Sequence, residues 1–169
     1  MIYLVRELSN LILNKLQPNK VVILYGARRV GKTMLVKEIL ANVNEPILRL
    51  NGDDINVHDK LSIRSIENYK QILGTYKLLY IDAAQKIPEI GLKLKLMIDE
   101  IEGLRIIISS SSSFDINKNA GEPLTGRKYT FTLYTLSENE YTQVENNINK
   151  MDKVRERLVF GNYPELAYA

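Results

Sequence analysis

Cysteine and tryptophan are missing from this 169-residue chain, histidine occurs once, at His58, and there are only three phenylalanines and five prolines. Each shortage removes a class of chemistry. Without cysteine there is no disulfide framework, no thiolate nucleophile and no Cys/His zinc site, and one imidazole is too few for catalysis built around several. A cysteine-free chain of this kind is expected in the cytoplasm. Neither sign of charge dominates: 23 Lys and Arg stand against 20 Asp and Glu, a net charge of +3. With the two signs interleaved, the composition demands no nucleic-acid footprint, although a local basic patch stays open. No apolar run approaches the ~18 residues of a membrane span. The opening MIYLVREL carries Arg6 and Glu7 inside its apolar residues and lacks a small-residue cleavage site, which argues against a secretory signal. No linker rich in Gly, Pro or Ser and no internal repeat divides the chain. Its 45% hydrophobic and 25% charged residues fit one globular core.

What is present is an alternation of helix and strand. Val5, Leu8, Ile12 and Leu16 share one helical face, and QPN stops that helix. Four short apolar runs follow, at 21–25, 46–51, 77–82 and 104–109, with the length and β-branched content of strands buried on both faces. Helical patterns at about 32–42, 60–73 and 89–102 separate them, which predicts right-handed crossovers and a parallel sheet covered on both sides. A fifth strand, KYTFTLYTL at 128–136, alternates aromatic residues or leucine with threonine, as an edge strand does. One or two polar helices follow it.

Between the first strand and the next helix lies GARRVGKT, residues 26–33. The pattern G-x-x-x-x-G-K-[ST] suits a phosphate cradle: glycines let the backbone turn and aim its N–H groups at oxygens, lysine supplies charge to the β and γ phosphates, and threonine offers a hydroxyl to Mg²⁺. The expected ATP- or ADP-binding residues are Gly26, Arg28, Arg29, Val30, Gly31, Lys32, Thr33 and Met34, with the dipole of the helix that starts near Lys32 adding to the attraction. Asp82 ends the apolar run LLYID, where a carboxylate can reach the Mg²⁺ held by Thr33. Its plainer alternative is a cap on the following turn. Asp53 and Asp54 resemble paired carboxylates for acid/base work, but they follow a strand, where Asx turns are common. His58 reads as a surface residue.

In these stretches the chain resembles the archaeal and bacterial AAA-type P-loop ATPases whose ATPase domain precedes a separate carboxyl-terminal domain. GARRVGKT resembles that family's GPRRVGKT, LLYIDAAQKIP its strand ending in Asp-Glu-x-Gln-Lys-x-Pro, and IIISSSSSFDI its strand leading into Gly-Ser-Ser. PLTGR is similar to its Leu-x-Gly-Arg element, TLSENEY to Pro-Leu-Ser-x-x-Glu-Tyr and FGNYPEL to Gly-Gly-Tyr-Pro-Glu-Val, all six in the same order. The resemblance implies an α/β P-loop NTPase fold of the additional-strand type: a parallel five-stranded sheet flanked by helices on both faces, with the IIIS strand between the phosphate-loop strand and the Asp82 strand. It implies one ATPase domain over 1–169 with the family's carboxyl-terminal domain absent, and catalytic roles for Lys32, Asp82, Ser111 as sensor of the γ-phosphate and Arg127 as a cationic finger. A finger working in trans implies a homo-oligomer. The protein or DNA partner is left open.

The departures from the family pattern bear on turnover. Ala83 stands where the family has a water-polarising glutamate, and alanine accepts neither a proton nor a hydrogen bond. A positioned general base contributes about 10² to 10⁴ fold, so nucleotide binding is expected with weak hydrolysis. Gln85 is an alternative group for orienting water. Ser110 replaces a glycine, Thr135 a proline and Asn162 a glycine. Two readings compete with the ATPase: a nucleotide-dependent switch or scaffold without turnover, and a small-molecule kinase, although no lid-like arginine cluster is evident.

Overall fold

The computed structural model describes residues 4–111, 124–144 and 150–168. Helix α1 (Leu8–Lys15) leads into β1 (Lys20–Tyr25), α2 (Lys32–Ala41) and β2 (Ile47–Asn51). Helices α3 (Ile55–Ser62) and α4 (Ile66–Leu73) precede β3 (Leu78–Asp82), and α5 (Ile90–Glu100) precedes β4 (Arg105–Ser110). After β5 (Lys128–Thr132) come α6 (Glu138–Tyr141), α7 (Lys150–Phe160) and a 3-10 turn at Pro164–Tyr168. The expected helix over 60–73 is two helices. Ser65 caps the second by accepting from the N–H of Asn68, and Asp54 starts the first by accepting from the N–H of Asn56.

The five strands form one parallel sheet in the order β2-β3-β4-β1-β5. Strand β4 therefore lies between the phosphate-loop strand and the Asp82 strand, as the family resemblance implies. Period-two alternation divides the core into two layers. Along β1, Val21, Ile23 and Tyr25 face a cluster that includes Leu61, Tyr69, Leu94 and Met97, while Val22 and Leu24 face Ile12, Leu35, Ile39 and Leu133. Full burial of each such aliphatic side chain is worth about 1.5 to 3 kcal/mol, which is why β1 tolerates no polar residue in its interior. The run at 46–51 departs from expectation: β2 is an edge strand, only partly covered, because β3 is its sole neighbour. Val5 likewise leaves the predicted helical face and is exposed. Among the described residues no helix is long and apolar enough to cross a membrane.

Candidate functional site

All five strands are parallel, so their carboxyl ends gather on one side of the sheet, and the loops after β1, β2, β3 and β4 meet there. They enclose a polar cleft of about 230 Å³ whose lining includes Arg28, Arg29, Lys32, Thr33, Asp53, Asp82, Ala83, Gln85 and Ser111. Residues far apart in sequence are thus brought together by topology alone.

The loop after β1 keeps its shape for two different reasons. Gly31 has φ +98°, in the left-handed region that favours glycine. Gly26 instead needs space: a Cβ there would lie 2.6 Å from the carbonyl oxygen of Leu133, because β5 continues past β1 with the Leu133 N–H donating to Tyr25 O at 2.7 Å. Lys32 Nζ folds over the loop and donates to the carbonyls of Gly26 and Ala27, both at 2.7 Å. Burial lowers the lysine's pKa, the negative charge of Asp82 opposes this, and Arg28 adds to the lowering. The Val30 side chain is buried in the core, so only its backbone serves the loop. Arg28 and Arg29 are exposed on the cleft rim, and Met34, on the first turn of α2, is exposed as well.

Both carboxylate oxygens of Asp82 accept hydrogen bonds, Oδ1 from two donors and Oδ2 from the Thr33 hydroxyl. Its Oδ1 accepts from the Ala83 N–H at 3.0 Å and from the Ser109 hydroxyl, and Tyr80 Oη lies 3.4 Å from Ser109 Oγ behind it. Its Oδ2 is 3.3 Å from Thr33 Oγ1. A hydroxyl and a carboxylate this close form a hard-oxygen pair of the type Mg²⁺ takes, with the remaining positions left for water and phosphate. The donor set therefore fits the ion. The Oδ1 contact to the Ala83 N–H also matches the plainer alternative, an aspartate at the start of the following turn, here the 3-10 turn Ala84–Lys86. Ala83 follows in the left-handed region at φ +50°, an uncommon place for a residue with a Cβ and a sign of local strain beside the cleft.

Ser111 lies on the cleft, where its Oγ accepts from Gln85 Nε2 at 3.1 Å. Ser112 and Ser113 lie outside the described residues. Arg127 is not brought to the cleft. It immediately precedes β5, at the amino end of the sheet, where its Nε pairs with Asp99 Oδ1 at 2.6 Å. Residue 132 is the β5 partner of Tyr25, so five residues at ~3.3 Å each put Arg127 about 16 Å from the loop along the strand. In this arrangement Arg127 does not reach this chain's own cleft. The carboxylate pair also separates: Asp54 caps α3 and Asp53 faces the cleft. His58 is half-buried rather than on the surface, with Nε2 against Gly52 O.

The sequence did not disclose a buried clamp under the loop. Arg6 and Glu140 are 6% and 5% exposed and pair at 2.9 Å. Arg6 Nη1 donates to Val30 O at 2.7 Å and Nη2 to Tyr134 O at 2.8 Å. Glu140 also accepts from the N–H groups of Glu7 and Ser137, each at 2.9 Å. Burial alone would raise the Glu140 pKa, but the Ser137 N–H, the Arg6 guanidinium and the Glu7 N–H together hold it below the usual carboxylate range. The available signal was the S-x-x-E pattern of Ser137 to Glu140, a capping box, and a lone arginine in an apolar stretch. Ser109, fully buried behind Asp82, was also missed, because a serine at a strand exit looks the same as a solvated one.

A sheet of this order with a glycine-rich loop after its first strand and an acidic residue ending the strand two places away defines a P-loop NTPase fold. Residues 18–142 match the family model described as AAA domain (AAA_14), and the chain belongs to that family. The chain is 26% identical over 174 residues to the uncharacterized protein MJ1544 of Methanocaldococcus jannaschii, covering 90% of this chain and 37% of that protein. Among solved structures, the FIGL-1 AAA domain in complex with ADP superposes with a TM-score of 0.64 at 11% identity, over 89% of this chain and 63% of the other. The Pif1 helicase from Bacteroides, in complex with ADP-AlF3 and ssDNA, gives a TM-score of 0.54 at 17% identity over 89% and 47%. The chain thus spans less than two thirds of the length of each of these relatives, and these two structural likenesses concern the fold.

Proposed function

We propose that this chain is an Mg·ATP-binding AAA-type ATPase domain with slow hydrolysis. The observation that carries the reading is the meeting of Lys32, Thr33 and Asp82 in one cleft, with Thr33 Oγ1 and Asp82 Oδ2 3.3 Å apart. The loop N–H groups and the amino end of α2 would bind the β and γ phosphates, and Lys32 would leave the two carbonyls it now contacts to pair with them. Thr33 and Asp82 would hold Mg²⁺, which would supply positive charge against the charge developing on the phosphate during transfer. Ser111, on the same cleft, would donate to a γ-phosphate oxygen. Arg127 would serve only the site of a neighbouring copy.

A nucleotide-dependent switch is the second reading, favoured by one contact. The 3-10 turn that ends the described chain lies on the loop: Glu165 pairs with Arg29 at 3.3 Å, and Pro164 Cγ would lie 3.7 Å from a Cβ on Gly31. A loop that changes with its ligand would move this segment. Thermal unfolding with and without Mg·ATP tests the shared premise. Ligand at 100 times its Kd stabilises by about 2.7 kcal/mol, and Lys32→Ala should lose most of that gain. Equal shifts in both proteins would sink the phosphate-site assignment.

A further inference from the structure

Position 83 leaves the cleft without the group that would take a proton from attacking water, and a second carboxylate faces the same space. We infer that Asp53 is the general base of this site. This inference rests on the ATPase reading above and assigns its missing step.

Four observations place Asp53 there. First, β2 pairs with β3 so that Asn51 lies beside Asp82, and the next residue, Gly52, donates its N–H to Asp82 O at 2.8 Å. Second, the backbones touch: a Cβ on Gly52 would fall 2.3 Å from Ala83 O, so the chain carrying Asp53 is pressed against the residue whose side chain is missing. Third, the turn is fixed, with the Asp53 N–H donating to Asn51 Oδ1 at 3.0 Å and His58 Nε2 meeting Gly52 O. Fourth, the two aspartates have divided their work. Asp54 Oδ1 accepts from the Asn56 backbone and side-chain N–H groups, whereas Asp53 lines the cleft with Lys32, Thr33 and Asp82, and its carboxylate has no hydrogen-bonded partner among the described residues. Asp82 cannot take both roles, since its Oδ1 is occupied by Ser109 and Ala83 and its Oδ2 faces Thr33.

In the step assigned to it, the oxygen of a water attacks the γ-phosphorus and one water proton passes to the Asp53 carboxylate. The bond from phosphorus to the β,γ-bridging oxygen breaks, its electron pair leaving with ADP. Asp53 then returns the proton to the phosphate product or to solvent, so no further reactant is needed.

The test compares the unchanged protein, Asp53→Asn and the double variant Asp53→Asn/Ala83→Glu. It measures phosphate release from ATP, the affinity for the β,γ-imido analogue of ATP, and thermal unfolding. Asn keeps the size of Asp and the Asx turn, so the fold should be retained. The expected result is a fall in kcat of about 10² fold or more, with affinity for the analogue unchanged or tighter, because a negative charge near the γ-phosphate has been removed. Glutamate at 83 should restore turnover in the double variant. Unchanged kcat in Asp53→Asn would overturn the assignment, as would a fall in analogue affinity that parallels the fall in kcat, or a double variant that folds and binds the analogue but stays as slow as the single one. An unchanged protein that binds the analogue without releasing phosphate would overturn it too, while leaving the nucleotide site intact. Failure to bind would remove both.

Discussion

Replacing Arg6 by alanine should damage the fold and the phosphate loop together. The guanidinium satisfies one buried carboxylate, at Glu140, and three carbonyls, at Val30, Tyr134 and, more distantly, Thr135. Without it Glu140 keeps two backbone donors but, among the described residues, loses its ion-pair partner in a site 5% exposed. Removing one member of a buried ion pair costs about 3 to 5 kcal/mol, and the Val30 carbonyl adds to this if water cannot reach it. Taking about 4 kcal/mol, and about 2 to 4 °C per kcal/mol for a domain of this size, the midpoint of thermal unfolding should fall by roughly 8 to 16 °C. Urea unfolding followed by circular dichroism, without nucleotide, gives the free energy directly. The partner variants Glu140→Ala and Arg6→Ala/Glu140→Ala close a double-mutant cycle, in which the double loss should be smaller than the sum of the two single losses. Because Arg6 also holds the Val30 carbonyl, and so the orientation of the peptide before Gly31, ADP affinity should weaken in Arg6→Ala. A loss below about 1 kcal/mol, or strict additivity in the cycle, would refute the view that the clamp is a coupled buried unit.

Three further outcomes are expected. Glu140 has a lowered pKa, so in acid the unfolded chain binds its proton first: the stability it gives is full above the ordinary carboxylate value of about 4.3 and is lost as pH falls through the lower folded value. Thermal midpoints recorded from pH 6 downwards should therefore drop more steeply in the unchanged protein than in Glu140→Gln. Gly26→Ala should destabilise the chain and weaken ADP binding, since its Cβ would press on the Leu133 carbonyl at 2.6 Å; calorimetric titration and a melting curve that match the unchanged protein would contradict the close approach of β5. Arg127→Ala should leave ADP affinity unaltered, because its pairing with Asp99 lies at the opposite end of the sheet, and any effect on kcat should depend on protein concentration, as a contribution to a neighbouring copy requires.

Much of the fold was legible along the chain because its signals are local. Four short apolar runs separated by helical periodicity, and a fifth strand alternating with threonine, specify a covered parallel sheet. GARRVGKT states the phosphate loop because the spacing of its glycines, lysine and threonine is itself the mechanism. The threonine alternation of β5 announced an edge, with Thr130 and Thr132 exposed and Leu133 buried. The capping box at Ser137 was equally local, yet its glutamate looked like any surface acid, since nothing near it in sequence reveals that Arg6 lies 134 residues away.

Tertiary structure alone decided which polar residues share the cleft. Sequence distance carries no information about the order of strands at their carboxyl ends, and it is this order that sets Ser109 behind Asp82, Gly52 against Ala83 and Arg127 far from all four. The need for Gly26 shows the same division: the motif predicts a glycine for its backbone freedom, whereas the folded chain requires one because β5 passes within reach of its missing Cβ. The local pattern determined that a phosphate could be cradled here; the packing of β2, β4 and β5 around that loop determined which side chains face whatever it holds, because only the packed sheet brings their strand ends together.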